Sequence, residues 1–159
     1  MATEFPELKK AVNKLGDEFV MELINQLLIA DKAASGKLIK SLDYEVIELL
    51  DNLMIRLHSE PYLINVDKGR RAGAKPPPSD KILPWIKLRS IKGRDSKGRF
   101  ITDKSLSFII ARSIGIKGIR PTNVIQKAKD NIIKKKTEIL AKAATKDVMD
   151  ALNKILINL

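Results

Sequence analysis

"LDYEVIELLDNLMIRLHSEPYLINVDKG", Leu42 to Gly69, lies between two stretches that read as helix, and its pattern decides the fold class. Leu53, Ile55 and Leu57 alternate with Met54, Arg56 and His58, the period-two spacing of a strand with one face covered. β-Branched and aromatic side chains increase over the same region, Asp51-Asn52 suits a turn, and Pro61 restricts the backbone after it. Two or three short antiparallel strands are therefore expected over 42–67. Residues 42–50 remain open to a second reading, continuation of a helix, because their apolar positions do not alternate strictly.

Upstream, Leu8, Val12, Leu15, Phe19, Leu23 and Leu27 recur at intervals of three and four and form one stripe of a helix within residues 1–38. Pro6 suits a first turn, Gly16 weakens the helix, and the run is expected to end near "DKAASGK", where Gly36 can adopt a conformation other residues avoid. Downstream, Gly69, Gly73 and Pro76 to Pro78 make 69–78 a stiffened loop. Ser79 or Asp80 then caps a short helix through Ile82, Leu83, Trp85 and Ile86, with Pro84 in its first turn.

"SIKGRDSKGRFITDK", Ser90 to Lys104, reads as a hairpin or extended loop turning at Asp95-Ser96-Lys97-Gly98. Asp103 or Ser105 caps another helix whose apolar face is Leu106, Ile109, Ile110 and Ile114, ending near Gly115 or Gly118. After Pro121 a long helical stretch carries an approximate stripe of Ile125, Ala128, Ile132, Ile139, Ala143, Val148, Leu152, Ile155 and Leu159. Within it, Lys134, Lys135 and Lys136 mark either a bend or a solvated face. The class expected is α+β: a long N-terminal helix, a small antiparallel sheet, a short central helix and C-terminal helices in a single domain.

Composition bounds the function. A chain of 159 residues buries about 70% of the surface its unfolded form exposes, enough for a core. The absence of cysteine excludes disulfides, thiol catalysis and cysteine-based zinc sites, and suits a reducing cytosol. "MATEFPELKK" has acidic residues where a secretory signal needs a basic start, and the apolar run "VMELINQLLIA" is broken by Glu22, Asn25 and Gln26. Neither a signal peptide nor a membrane span is expected.

The net charge of +11 is uneven: 7 basic and 12 acidic side chains in 1–67, 11 and 2 in 68–99, and 12 and 5 in 100–159. The basic middle suits contact with a polyanion, through release of its condensed counterions; a merely solvated surface is the competing reading.

No glycine-rich loop ends in Lys-Ser or Lys-Thr, no histidine pair offers a metal site, and no Gly-x-Ser-x-Gly elbow is present. His58, the only histidine, reads as a packed or surface residue, and Glu45, Glu48 and Asp51 as an exposed face rather than a cation site. Trp85 reads as a core anchor rather than a base-stacking platform, and an aromatic share of 4% argues against single-strand recognition. No enzymatic activity, metal or cofactor is expected.

"YLINVDKGRRAGAKPPPSDKILPWIKLRSI" resembles the central segment of the tail-completion or neck (head-tail joining) proteins of tailed bacteriophages. The features that carry this are Tyr62, Gly69-Arg70-Arg71, Gly73, Pro76, Pro77 and Pro78, and the helix from Ile82 through Trp85 to Ile86. Downstream, "KSLSFIIARSIGIKGIRPTNVI" is similar to the family's Leu-x-Phe-x-Ile-Ala-Arg helix and Gly-Ile-x-Pro turn, carried by Leu106, Phe108, Ile110, Ala111, Arg112, Gly118, Ile119 and Pro121. "SGKLIKSL" also fits, and the resemblance covers residues 35–126. Ala72 stands where a proline is frequent, and Asn123-Val124 where an aromatic often comes after the proline.

The resemblance implies a structural virion subunit that closes into a ring between portal and tail, present in the virion and, during assembly, in the host cytoplasm. The implied partners are copies of itself, portal or other connector and tail proteins, and genomic DNA held without sequence reading. Arg70, Arg71, Lys92, Arg94, Lys97 and Arg99 are the candidates to face DNA or to dock on a neighbour. Tyr62, Gly69, Pro76, Pro77, Trp85 and Pro121 are the candidate structural anchors.

Overall fold

The alternation at Leu53, Ile55 and Leu57 forms the strand it predicts. In the computed structural model, which describes residues 5–32, 34–49 and 52–157, β1 (Asp43–Leu49) pairs antiparallel with β2 (Asn52–His58), from Asp43 opposite His58 to Leu49 opposite Asn52. Residues 43–49 are thus strand, not helix. Asn52, expected in the turn, is already a strand residue, and Asp51 lies outside the described residues. No third strand is found over 59–67 among the described residues: residues 63–68 form a short helix instead, with Leu63 buried and Val66 and Asp67 half-buried at helical spacing.

The chain is α+β and packs as two compact units. The first comprises Met1–Ile29, Ser41–Glu60 and Val124–Leu159; the second Ala30–Lys40 and Pro61–Asn123.

In the first unit, α1 (Pro6–Ile29) runs beside the last helix, which spans Val124–Ile157. Val12, Leu23 and Leu27 are buried on one helix, Val124, Ala128 and Ile132 on the other. Each large apolar side chain so covered contributes about 1.5–3 kcal/mol. The helices are antiparallel: Asn131 donates to Glu22 (2.7 Å), the Lys136 ammonium meets Glu18 (2.9 Å), and Asp147 reaches the amides of Glu7 and Leu8.

Those last two bonds complete the accounting at the start of α1. Pro6 has no N–H, the Lys9 amide donates to the Phe5 carbonyl (2.9 Å), and the two remaining donors reach the Asp147 carboxylate at 3.1 and 2.7 Å. A buried acid 140 positions away thereby caps the helix at the positive end of its dipole.

Two expectations change here. Past Ile132 the inward stripe of the C-terminal helix is Lys136, Leu140, Ala143, Ala144, Asp147 and Ala151, while Ile139, Val148 and Leu152 are exposed. The side chains of Ile155 and Leu159 lie outside the described ones. Lys136 therefore marks no bend, since it reaches inward to Glu18 along a continuous helix.

Gly16 also has a specific reason. The Tyr44 ring of β1 lies on it, so that an added Cβ would fall 2.2 Å from the ring, and the Tyr44 hydroxyl reaches the Asn13 carbonyl (2.8 Å) and Asp17 (2.9 Å). The helix stops at Ile29, earlier than expected, and Asp31 takes a positive φ of 52°.

The second unit holds α2 (Lys37–Lys40), α3 (Leu63–Lys68), α4 (Ser79–Leu88) and α5 (Asp103–Lys117); the C-terminal helix of the first unit is α6. Its core is Ile82, Ile86 and Ala111, with Ile91, Leu106, Ile110 and Ile114 packed on them. Pro78, not Ser79 or Asp80, occupies the N-cap of α4, and Pro84 lies beyond the first turn, where its ring leaves the helix one amide short. Thr102 caps α5 in place of Asp103 or Ser105, its hydroxyl accepting from the Ser105 amide (3.2 Å), and Gly118 ends it.

Candidate functional site

The two ends of α5 carry the six cations singled out from sequence. At its C-terminal end the chain crosses itself: the Arg70 amide donates to the Ile119 carbonyl (2.8 Å), and the Ile119 amide returns the bond (2.9 Å). The Gly73 amide adds a bond to the Gly115 carbonyl (2.9 Å), and the Thr122 hydroxyl donates to Val66 (2.7 Å).

Gly69 and Gly118 make the approach possible. Both have positive φ, 68° and 71°, and a Cβ would lie 2.2 Å from the Ile119 oxygen at the first and 2.3 Å from the Arg70 oxygen at the second. Pro76 packs on Gly115 at the same place.

The crossing gathers cations. Arg70 and Arg71 on one segment lie opposite Ile119 and Gly118, and Lys117 and Arg120 flank that pair on the other. All four are exposed; the Arg70 guanidinium donates to the Lys75 carbonyl, which holds it back along its own loop. Lys117 and Arg120 were not among the sequence candidates; the signal that points to them is the "GIKGIRP" run in which they sit.

At the N-terminal end of α5 the basic hairpin is a closed structure. Arg94 pairs with Phe100 across an antiparallel bridge, and its guanidinium lies 3.9 Å from the ring centroid. The turn falls at Asp95 to Gly98 as expected, with Gly98 at φ 78°. Asp95 organises it, accepting from the Lys97 amide (2.9 Å), the Arg99 amide (2.9 Å) and the Arg99 guanidinium (2.9 Å). The Arg99 amide, more than its guanidinium or the Lys97 amide, holds the Asp95 carboxyl below the usual range.

Of the four cations expected here, Lys92 pairs with Asp103 (3.2 Å), Arg99 with Asp95, and Arg94 stacks on Phe100. Only Lys97 stands without such a partner among the described residues.

The six candidate cations thus form two groups at opposite ends of a 15-residue helix, about 22 Å apart along its axis. Between them α5 exposes Lys104 and Arg112, neither ion-paired among the described residues. A further pair stiffens the unit: Arg89 donates both ways to the Asp31 carboxylate at 2.8 Å, and this holds the Asp31 carboxyl below its ordinary range.

The structural anchors divide. Gly69 and Pro76 sit in the crossing, and Pro77 is half-buried next to the Pro78 cap. The Tyr62 carbonyl accepts from the Val66 amide (3.1 Å), but its ring is exposed, as is Pro121. Trp85 is 42% exposed and is not the core anchor expected: the buried stripe of α4 is Ile82 and Ile86, and one residue back from Ile86 lies off that line.

His58 is a surface residue 3.3 Å from Glu45, which also takes Arg56 (2.8 Å), while Glu48 meets Lys9 (2.8 Å). Among the described residues no group of three acids, histidines or cysteines is placed to hold a metal ion, and no helix is long and apolar enough to cross a membrane. No family model, curated protein or solved structure matches this chain.

Proposed function

We propose that this chain is a structural subunit of the head–tail connector of a tailed bacteriophage, part of a neck or tail-completion ring through which the genome passes. The observation that carries the reading is the crossing. The two halves of the family-like constellation, Gly69 to Pro76 and Gly115 to Pro121, meet in one hydrogen-bonded unit, so the motif is a single physical object.

Charge supports assembly of copies. The second unit carries 18 basic and 5 acidic side chains, a net of +13, and the first 12 and 14, a net of −2. Unlike faces of this kind favour head-to-tail contacts, the type that closes rings. On this reading the partners are copies of itself, portal or other connector and tail proteins, and channel DNA, and the location is the virion and, before it, the host cytoplasm.

Electron microscopy of the particle, or of the protein mixed with its portal, is the test. Ring density at the portal–tail junction is expected, and absence of the chain from purified particles refutes the reading. A small basic nucleic-acid-binding protein is the second reading, favoured by the exposed Arg71, Lys97 and Arg112. It requires tight binding of DNA by the isolated chain, weakening steeply with salt; the connector reading expects weak binding.

A further inference from the structure

β1 and β2 make a sheet of two strands, so each strand is an edge. Leu49 and Asn52 close the ladder with two residues between them, which makes 49 with 52, 47 with 54, 45 with 56 and 43 with 58 the pairs that exchange backbone hydrogen bonds. The alternate residues turn their amides and carbonyls away from the partner strand: Tyr44, Val46 and Glu48 on β1, and Leu53, Ile55 and Leu57 on β2. The Tyr44 amide shows the direction, since it donates to the Asp43 carboxylate (2.8 Å) and not to β2. Among the described residues, no backbone hydrogen bond joins the other five to another segment.

Proteins blunt such edges with a proline, a lysine or a bulge. β2 has none of these: its seven residues are NLMIRLH, and the register runs unbroken through all seven pairs. An edge left this regular is a template for another strand.

Charge identifies the strand that fits. β1 carries Asp43, Glu45 and Glu48 and no base, whereas β2 carries Arg56 and His58 and no acid. Within one chain Glu45 takes both Arg56 (2.8 Å) and His58 (3.3 Å), and Glu48 takes Lys9 (2.8 Å). Asp43 has no ion pair among the described residues. A β1 laid on β2 sets acids beside bases, while β1 on β1 sets acid on acid and β2 on β2 sets base on base.

We propose that the β2 edge of one copy pairs antiparallel with the β1 edge of the next, in the register already used within the chain. Leu57, Ile55 and Leu53 then bond to Tyr44, Val46 and Glu48 of the next copy, Arg56 lies between two Glu45 carboxylates, and His58 faces a second Asp43. The proposal rests on the assembly of copies argued above, and names the two edges that meet. Because the edges differ, each copy keeps one of each kind free, and addition continues until a ring closes.

Amide hydrogen exchange in the full chain reads the edge directly. An edge contact with a Kd of about 100 μM slows exchange at Leu53, Ile55 and Leu57 about tenfold when the chain is raised to ~1 mM, and leaves Met54 and Arg56, already bonded to β1, unchanged. Exchange at Leu53, Ile55 and Leu57 that does not depend on chain concentration overturns the proposal. Slowing that requires an added portal protein assigns the edge to that partner and overturns the pairing of copies.

The chain has no cysteine, so a cross-link gives a second reading. Ile47→Cys and Met54→Cys, opposite each other in the register, are made separately and oxidised alone and mixed. A disulfide-linked dimer in the mixture, with little in either variant alone, is expected. Linking of either variant alone to the same extent, or none in the mixture, overturns the proposal. Met54→Lys places a lysine at an exposed position of the edge and, with strand content checked by circular dichroism, is expected to abolish the concentration dependence; its persistence overturns the proposal. The two readings separate: a chain that cross-links as described but is missing from particles refutes the connector function alone, and rings in particles without the cross-link refute this contact alone.

Discussion

Replacing Asp147 by alanine tests the cap that ties the two long helices together. The carboxylate is 4% exposed and accepts the only two first-turn amides of α1 left without another partner. Loss of an N-cap costs about 0.5–2 kcal/mol, and a hydrogen bond to a charged group contributes about 1.5–3 kcal/mol. With two such bonds removed and the Glu7 and Leu8 amides left facing a gap at the helix end, a loss of about 3 kcal/mol is expected. For a chain of this length that lowers Tm by about 6–12 °C.

Asp147→Asn keeps one acceptor oxygen and gives up the charge, so about half the loss is expected, ~1–2 kcal/mol. Urea unfolding followed by circular dichroism measures both variants. Hydrogen exchange at Glu7 and Leu8 reports the site itself, and Trp85, which lies in the other unit, supplies a fluorescence control. If the alanine variant stays within about 0.5 kcal/mol of the parent, the size of an ordinary surface substitution, and both amides remain protected, the capping argument is wrong.

Gly118→Ala places a Cβ against the Arg70 carbonyl at a φ of 71°, and is expected to cost more than about 2 kcal/mol, whereas Gly98→Ala at φ 78° has open space and costs about 1–2 kcal/mol by calorimetry. Ile86→Ala empties a fully buried position in the second unit and is expected to lose about 2–5 kcal/mol, read from denaturant midpoints. The folded Asp95 carboxyl titrates below its unfolded value, so its support for the hairpin is complete above the ordinary carboxylate range and is lost as pH falls through the depressed folded value. Amide exchange at Lys97 and Arg99, normalised for its intrinsic pH dependence, is expected to lose protection over that acid range, and Asp95→Asn to weaken the protection at neutral pH.

The elements legible in the sequence are those whose pattern is local. Period-two alternation marked β2, three-and-four spacing marked α1, and Asp95-Ser96-Lys97-Gly98 marked its own turn, because strand, helix and turn each arise from neighbours a few residues apart. The proline corner and Gly118 were legible for the same reason, since restricted or permitted backbone angles belong to the residue itself.

The tertiary structure alone decided which face of each helix turns inward and which charges are spent. Lys136 and Asp147 occupy inward positions that any apolar stripe passes over, because Glu18 and the start of α1 satisfy them from far along the chain. Trp85 and Phe108 are as apolar as their buried neighbours, yet α4 and α5 pack through Ile82, Ile86 and Ala111. Of six candidate cations, the pairing of Lys92 with Asp103 and the bond that draws Arg70 back to Lys75 became visible only once the backbone had brought the partners together. Side-chain chemistry is written residue by residue, but whether a group is covered, paired or left to solvent depends on what the fold sets beside it.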